Sequence, residues 1–319
     1  MIENPKVEHD QIQDSIEEKD ILPATRKVKK LNWGNASFLT LLPLAAFLSV
    51  SFYIYYQGVH WIDIVLFVTL YTAAGLGVTA GYHRYYAHRA FECNRLSQFL
   101  FLVFGAAALE NSLLCWASDH RIHHRYVDKE KDPYNIKKGF FWAHMGWIFF
   151  DEREGRTFSN ANDLTKDKLV MWQHKYYLPI AIFAGFGIPM LIGLAFGRPW
   201  GGLIWGGLIR QFFTHHSTFL INSAAHWFGK RPYSQANTAR DSWWLALLSF
   251  GEGFHNFHHA FPSDYRNGVR WYHWDPTKWL IRSMSYVKMS WGLRRTPWKT
   301  LEKMKKDLEV SQYKQQTGE

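Results

Sequence analysis

The sequence predicts an all-α, multi-pass membrane protein with a helical cytoplasmic cap, and three observations predict it. Long apolar runs alternate with polar segments in a chain that is 18% aromatic, yet the mean hydropathy is −0.25, so about half the chain lies outside lipid. Basic residues outnumber acidic ones by 37 to 27, and a cationic cluster stands directly before the first apolar run, as a cytoplasmic flank requires. Histidines recur at helical spacing. His120, His123 and His124, and again His255, His258 and His259, stand at i, i+3 and i+4, one face of a helix. Chance places such a triplet roughly 0.04 times in a chain of this histidine content, so two copies are no accident.

Residues 1–35 read as a disordered cytoplasmic tail: acidic and polar to residue 23, then basic at Arg26, Lys27, Lys29 and Lys30. No secretory signal pattern opens the chain. The first run, residues 36–57, is long enough to cross roughly 30 Å of hydrocarbon. Gly58-Val59-His60-Trp61 carries no Lys or Arg and belongs outside, and the second span, residues 62–82, returns the chain to the cytoplasm at His83. The apolar run 96–116 is interrupted by Glu110 and Asn111, and a crossing there separates the histidine motifs from His83 and His88. It is read as a helix lying in or dipping into the interface. Residues 117–176 are polar and cytoplasmic, with a turn at Asp132-Pro133-Tyr134 and an aromatic patch from Phe140 to Trp147.

Spans 177–197 and 201–222 form a second hairpin around Arg198-Pro199-Trp200. A helix continued to His226 is about 39 Å long, so its end bearing Asn222 and His226 projects into the cytoplasm. Arg210 within it must be paired or face protein. The membrane domain ends near residue 298, and residues 299–319 form a charged tail. Four spans with both termini inside place every histidine motif on one side. His9, His60 and His174 are read as solvated surface side chains, and Cys93 and Cys115, in no metal or redox spacing, as reduced thiols. The net charge of +10 raises nucleic acid as a partner, but the aromatic, apolar composition points to a bilayer instead, and no nucleic acid is expected.

Nine histidines fall in the four motifs and call for a common explanation: His83, His88, His120, His123, His124, His226, His255, His258 and His259. Imidazole binds iron, copper, zinc and nickel alike. Nine ligands exceed what one ion takes, so two metals, sharing five and four nitrogens, are the natural count. Asn222 is placed to hold a water on the poorer one. Asp119, Glu252 and Asp128, close to the motifs, are candidates to orient the distal ring nitrogens. A metal pair at a membrane surface suggests a lipidic substrate.

Together, His83-Arg84-Tyr85-Tyr86-Ala87-His88, Asp119-His120-Arg121-Ile122-His123-His124-Arg125, Asn222-Ser223-Ala224-Ala225-His226 and Gly251-Glu252-Gly253-Phe254-His255-Asn256-Phe257-His258-His259 resemble the signature of membrane fatty acyl desaturases. The resemblance is above all to stearoyl-coenzyme A (delta-9) desaturases and their fungal and bacterial relatives, and it covers roughly residues 35–295. It implies an oxidoreductase that uses O2 and two iron ions (Fe2+/Fe3+) to place a cis double bond in a saturated acyl chain, usually between carbons nine and ten. It further implies that the nine histidines are the iron ligands, with Asn222 acting through water. Trp116 and Thr218 match residues at the bend of that family's acyl tunnel, and Tyr71, with Gly75 one turn away, matches its far end.

Two departures stand out. Where animal acyl-coenzyme A desaturases carry basic residues just after the Gly-Trp that matches Gly146-Trp147, this chain reads Ile148-Phe149-Phe150-Asp151-Glu152-Arg153, and two acids at that place repel an anionic headgroup. The acyl carrier is therefore left open between coenzyme A, a phospholipid and a carrier protein. Fungal relatives append a b-type cytochrome domain, which this sequence does not contain. A separate electron donor is expected, a ferredoxin, rubredoxin or b-type cytochrome, with an acidic surface suited to the basic cytoplasmic face. Three rivals rank behind. A His-rich membrane hydroxylase differs only in product. A zinc hydrolase needs a mononuclear site with a general-base carboxylate. A metal transporter carries its ligands at mid-membrane depth.

Overall fold

The computed structural model describes residues 30–150 and 157–317. The acidic tail, Arg26, Lys27, Lys29 and the pair Asp151 and Glu152 lie outside the described residues. Helices α1 (Trp33–Gln57), α2 (Trp61–Ala87), α3 (Arg95–Ala106), α4 (Leu113–Tyr126), α5 (Lys168–Lys175) and α6 (Tyr177–Ala195) build the first two-thirds. They are followed by α7 (residues 199–223), α8 (Trp243–Leu248), α9 (His255–Ala260), α10 (Pro276–Tyr286) and α11 (Trp298–Thr317). A two-stranded antiparallel ribbon, β1 (Glu92–Cys93) with β2 (Ser290–Trp291), clips the end of α10 beside α3.

Among the described residues three helices, α1, α2 and α6, are long and apolar enough to cross a membrane. The expected fourth span does form a helix, α7, built from Pro199–Gly201, Gly202–Ile209 and Arg210–Ser223. Its second half carries Arg210, Gln211, Thr214 and His215, all buried, so its polar groups face protein rather than lipid. Arg210 donates to the carbonyls of Ala107 (2.8 Å) and Gly185 (2.7 Å) and to Gln211 Oε1 (2.6 Å).

Local chemistry sets the helix ends. The Asn32 side chain accepts from the amide of Asn35 at 3.0 Å, so α1 starts at Trp33, three residues earlier than the apolar run. His60 is an exposed surface side chain, as expected, and it has a local role as well. It caps α2, with Asp63 returning a bond to its amide at 2.9 Å. Asp63, fully buried, also pairs with Arg198 at 3.2 Å. The α1–α2 and α6–α7 turns are thereby tied together at one end of the molecule. The last residues of α2 and α7, bearing the histidines, consequently meet at the other.

The apolar run 96–116 is two helices, not one. Among residues 107–112, Leu109 and Asn111 adopt φ of 53° and 85°, and Ser112 caps α4. Gln211 donates to Ala108 O beside Arg210 on Ala107, so α7 holds the break open. The twelve residues of α3 reach about 18 Å, too short to cross. α3 lies against the last turns of α2, which widen to i→i+5 bonding over Gly77–Ala87. A Cβ on Gly77 meets the amide nitrogen of Gly105 at 2.5 Å, and one on Gly81 meets Phe101 Cβ at 2.5 Å. His174 departs from the solvated reading: its Nδ1 meets Ser112 Oγ at 2.7 Å, fixing α5 to the start of α4. Both cysteines are free thiols. The charged C-terminal segment is α11, whose Leu301 packs on Tyr233 and Phe257.

Candidate metal centre

Four segments deliver the nine histidines. The wide end of α2 carries His83, with His88 just after it. α4 carries His120, His123 and His124, the single turn Ala224–His226 after α7 carries His226, and α9 carries His255, His258 and His259. The expected continuation of α7 to His226 tightens into that 3₁₀ turn. The side chains sort into two groups, each with its ligand-type atoms within 4.8 Å of one another: His83, His88, His120, His124 and His258; and His123, His226, His255 and His259. Neighbouring Nε2 atoms stand 2.7 Å apart for His88–His120 and 2.9 Å for both His83–His258 and His124–His258. In the second group the separations are 3.0 Å for His255–His259, 3.2 Å for His226–His255 and 3.3 Å for His123–His259. Metal–nitrogen bonds of about 2.1 Å place adjacent ligands about 3 Å apart, so the donor sets fit one transition-metal ion each.

Electrostatics favour the same use. Burial, reinforced by neighbouring imidazoles, holds His88, His120, His124, His226, His255, His258 and His259 well below the ordinary histidine range. Neutral rings keep a lone pair for a metal at pH 7. The far nitrogens are held from outside. His83 Nδ1 meets Glu252 Oε2 at 2.9 Å, and His123 Nδ1 meets Asp132 Oδ1 at 2.9 Å. His226 Nδ1 meets Thr238 Oγ1 at 2.8 Å, and Thr238 in turn donates to Asp128 Oδ1 at 2.6 Å. Such partners fix which ring nitrogen faces inward.

Of the three acids expected to orient rings, Glu252 does so directly and Asp128 through Thr238, whereas Asp119 lines a neighbouring cavity. Asp132 and Thr238 were not foreseen. The Asp-Pro-Tyr turn was the visible signal for Asp132, because a turn nine residues after His123 can fold its acid back under α4. Glu252 is the hub of a buried network: Arg84 reaches Glu252 Oε1 at 2.8 Å and Asp275 Oδ1 at 3.0 Å. Burial opposes ionisation of Glu252, but Arg84 and His83 prevail and hold its carboxyl down at about 2.

Against the first group opens a cavity whose wall includes Glu110, Trp116, Asp119, His120, Thr218 and Asn222. The Trp116 ring stacks on His120 at 4.9 Å. Tyr71 and Gly75 are not in that wall; both pack on Phe250. The Tyr71 ring lies 5.1 Å from it, with its hydroxyl donating to Leu248 O at 2.7 Å. A Cβ on Gly75 would meet the Phe250 ring.

Fold and site together define an integral-membrane protein with a histidine-rich centre, compatible with a metal site, beside a cavity. The chain belongs to the fatty acid desaturase family, whose model matches residues 59–292. It is 42% identical over 279 residues to a probable acyl-CoA desaturase of Schizosaccharomyces pombe, covering 86% of this chain and 57% of that protein. It is 38% identical to acyl-CoA desaturase 1 of Saccharomyces cerevisiae, over 83% of this chain and 52% of that one. The sn-1 stearoyl-lipid 9-desaturase of Anabaena variabilis is 32% identical, over 85% of this chain and 97% of its own length. The chain thus spans a little over half the length of the two fungal relatives.

Proposed function

We propose that the protein is a fatty acyl desaturase, placing a cis double bond at carbon nine of a saturated chain with O2 and two electrons. One observation carries this reading: two histidine groups, of five and four, lie beside a cavity whose wall already includes His120 and Asn222. His83, His88, His120, His124 and His258 hold one iron, and His123, His226, His255 and His259 the other, with Asn222 holding a water on the second. The iron pair, when bound, supplies the activation of O2 for hydrogen removal from the chain. The protein's own residues supply position. Glu252, Asp132 and Thr238 lock ring orientation, and burial keeps the imidazoles neutral. Trp116 and Thr218 shape the wall beside His120, so a chain in the cavity is held with one stretch of methylenes near the centre.

Four crossings, α7 being the fourth, with both termini and the metal centre cytoplasmic, complete the reading. It is supported by the tie between the two hairpin turns at the far end and by the basic composition of the chain. Electrons come from a ferredoxin, rubredoxin or b-type cytochrome. The acyl carrier is coenzyme A or a membrane lipid, the two chemistries for which the relatives are named.

The test is mass-spectrometric fatty-acid analysis, with double bonds located, of cells expressing the protein together with each donor class. A new monounsaturated chain with its bond at carbon nine is expected. A hydroxylated chain makes the protein an oxygenase instead, and no new product with any donor overturns the reading. In the same assay Tyr71→Ala is expected to lengthen the preferred chain by about two carbons, because removing the ring opens the space behind Phe250. An unchanged chain-length profile takes Tyr71 out of the tunnel's end.

A further inference from the structure

The segment joining α3 to α4 places a carboxyl group where an apolar chain is expected. Glu110 lies in the cavity wall. One oxygen, Oε2, receives the Trp116 indole N–H at 3.3 Å, and its side chain also bonds Thr218. Its other oxygen, Oε1, is sealed from solvent and meets no hydrogen-bond partner among the described residues. No lysine or arginine is among the described residues of the wall. The titratable groups around it are Asp119 and His120 on α4, Tyr134 on the following loop, His215 on α7, Tyr177 on α6 beside Asn111, and Tyr82 on α2. The nearest buried cation on α7, Arg210, is turned onto the carbonyls of Ala107 and Gly185. No lysine or arginine among the described residues of the wall therefore pairs with a negative charge on Glu110.

We propose that Glu110 sets the affinity of the cavity for an acyl chain: protonated, it ties Trp116 to Thr218 at the wall and admits the chain, and ionised, it excludes it. The proposal rests on the acyl reading of the cavity given above. Physically, a chain filling the cavity replaces its open, polarisable space beside the carboxyl by hydrocarbon, and a buried carboxylate bears that only at large cost, whereas the neutral acid does not. Burial already pushes the Glu110 carboxyl up to about 7, prevailing over the bonds from Thr218 and Trp116 that favour the ionised form. The sign follows: binding is fully present below that value and is lost as pH rises through it. Glu110 is thus a positioning residue that acts through the wall.

The experiment is equilibrium binding of radiolabelled stearoyl-coenzyme A to the purified full-length protein and to Glu110→Gln, between pH 6 and pH 8. Glutamine keeps the shape and both wall bonds but cannot ionise. The wild-type dissociation constant is expected to rise about tenfold over that interval, following a single titration near 7, while that of E110Q stays flat at the wild-type value of pH 6. An identical pH dependence in both proteins overturns the proposal alone, because a purely structural Glu110 moves no titration. Binding by neither protein at any pH, of stearoyl-coenzyme A or of a radiolabelled stearoyl phospholipid offered in its place, overturns the acyl reading of the cavity, and the proposal with it.

Discussion

Replacing His258 by alanine is expected to lower desaturation to below about one-thousandth of wild type, some 4 kcal/mol of lost transition-state stabilisation. His258 is the residue through which three segments meet: its Nε2 lies 2.9 Å from His83 on α2 and 2.9 Å from His124 on α4, and only 1% of it is exposed. Removing it takes one ligand-type nitrogen from the five-histidine group and leaves a void at the centre of that group. Iron per chain, measured by plasma mass spectrometry on purified protein, is expected to fall from two toward one, because the four-histidine group contains no His258. The variant is expected to remain membrane-inserted, since α9 lies outside the apolar helices. Retained turnover, or two irons per chain, contradicts the ligand assignment.

A comparably large effect on stability is expected at Arg84. Its guanidinium is 1% exposed and binds Glu252 Oε1 at 2.8 Å, Asp275 Oδ1 at 3.0 Å and the carbonyl of Tyr265 at 2.8 Å. Asp275 also accepts from the amides of Asn267 and Gly268, both at 2.9 Å, so the network fastens the segment after α9 to the end of α2. Arg84→Ala strands two buried carboxylates, and breaking a buried pair in this way costs about 3–5 kcal/mol. The midpoint of thermal denaturation in detergent, followed by tryptophan fluorescence, is expected to drop by about 10 °C. Arg84→Lys keeps the charge but not the fork, and is expected to fall between the two. A midpoint unchanged in the alanine variant shows that the network does not hold the cap.

The nine histidines were legible in the sequence because each motif is local. Spacing of three and four residues puts rings on one helical face whatever surrounds the helix, and α4 and α9 obey it. The long apolar helices were legible for the same reason, since length and composition suffice to recognise them. What failed was local reasoning about residues whose role depends on a distant partner. The run 96–116 looks like one helix, and it breaks because Arg210 and Gln211, some hundred residues later in the chain, take the carbonyls of Ala107 and Ala108. His174 looked solvated because a contact with Ser112 leaves no mark in composition, and the cap formed by the exposed His60 leaves none either.

Helix identity, the doubled histidine motif and the count of nine ligand-type side chains follow from the order of residues, because short-range geometry and hydrophobicity decide them. Which histidines make up the five and which the four, the support of His123 by Asp132 and of His226 by Thr238, and the place of Glu110 in the cavity wall were decided by tertiary packing. The physical reason is range. A helical face is settled within a few residues, whereas a ligand cage, a buried ion pair and a cavity exist only once segments distant in the chain have met and excluded water.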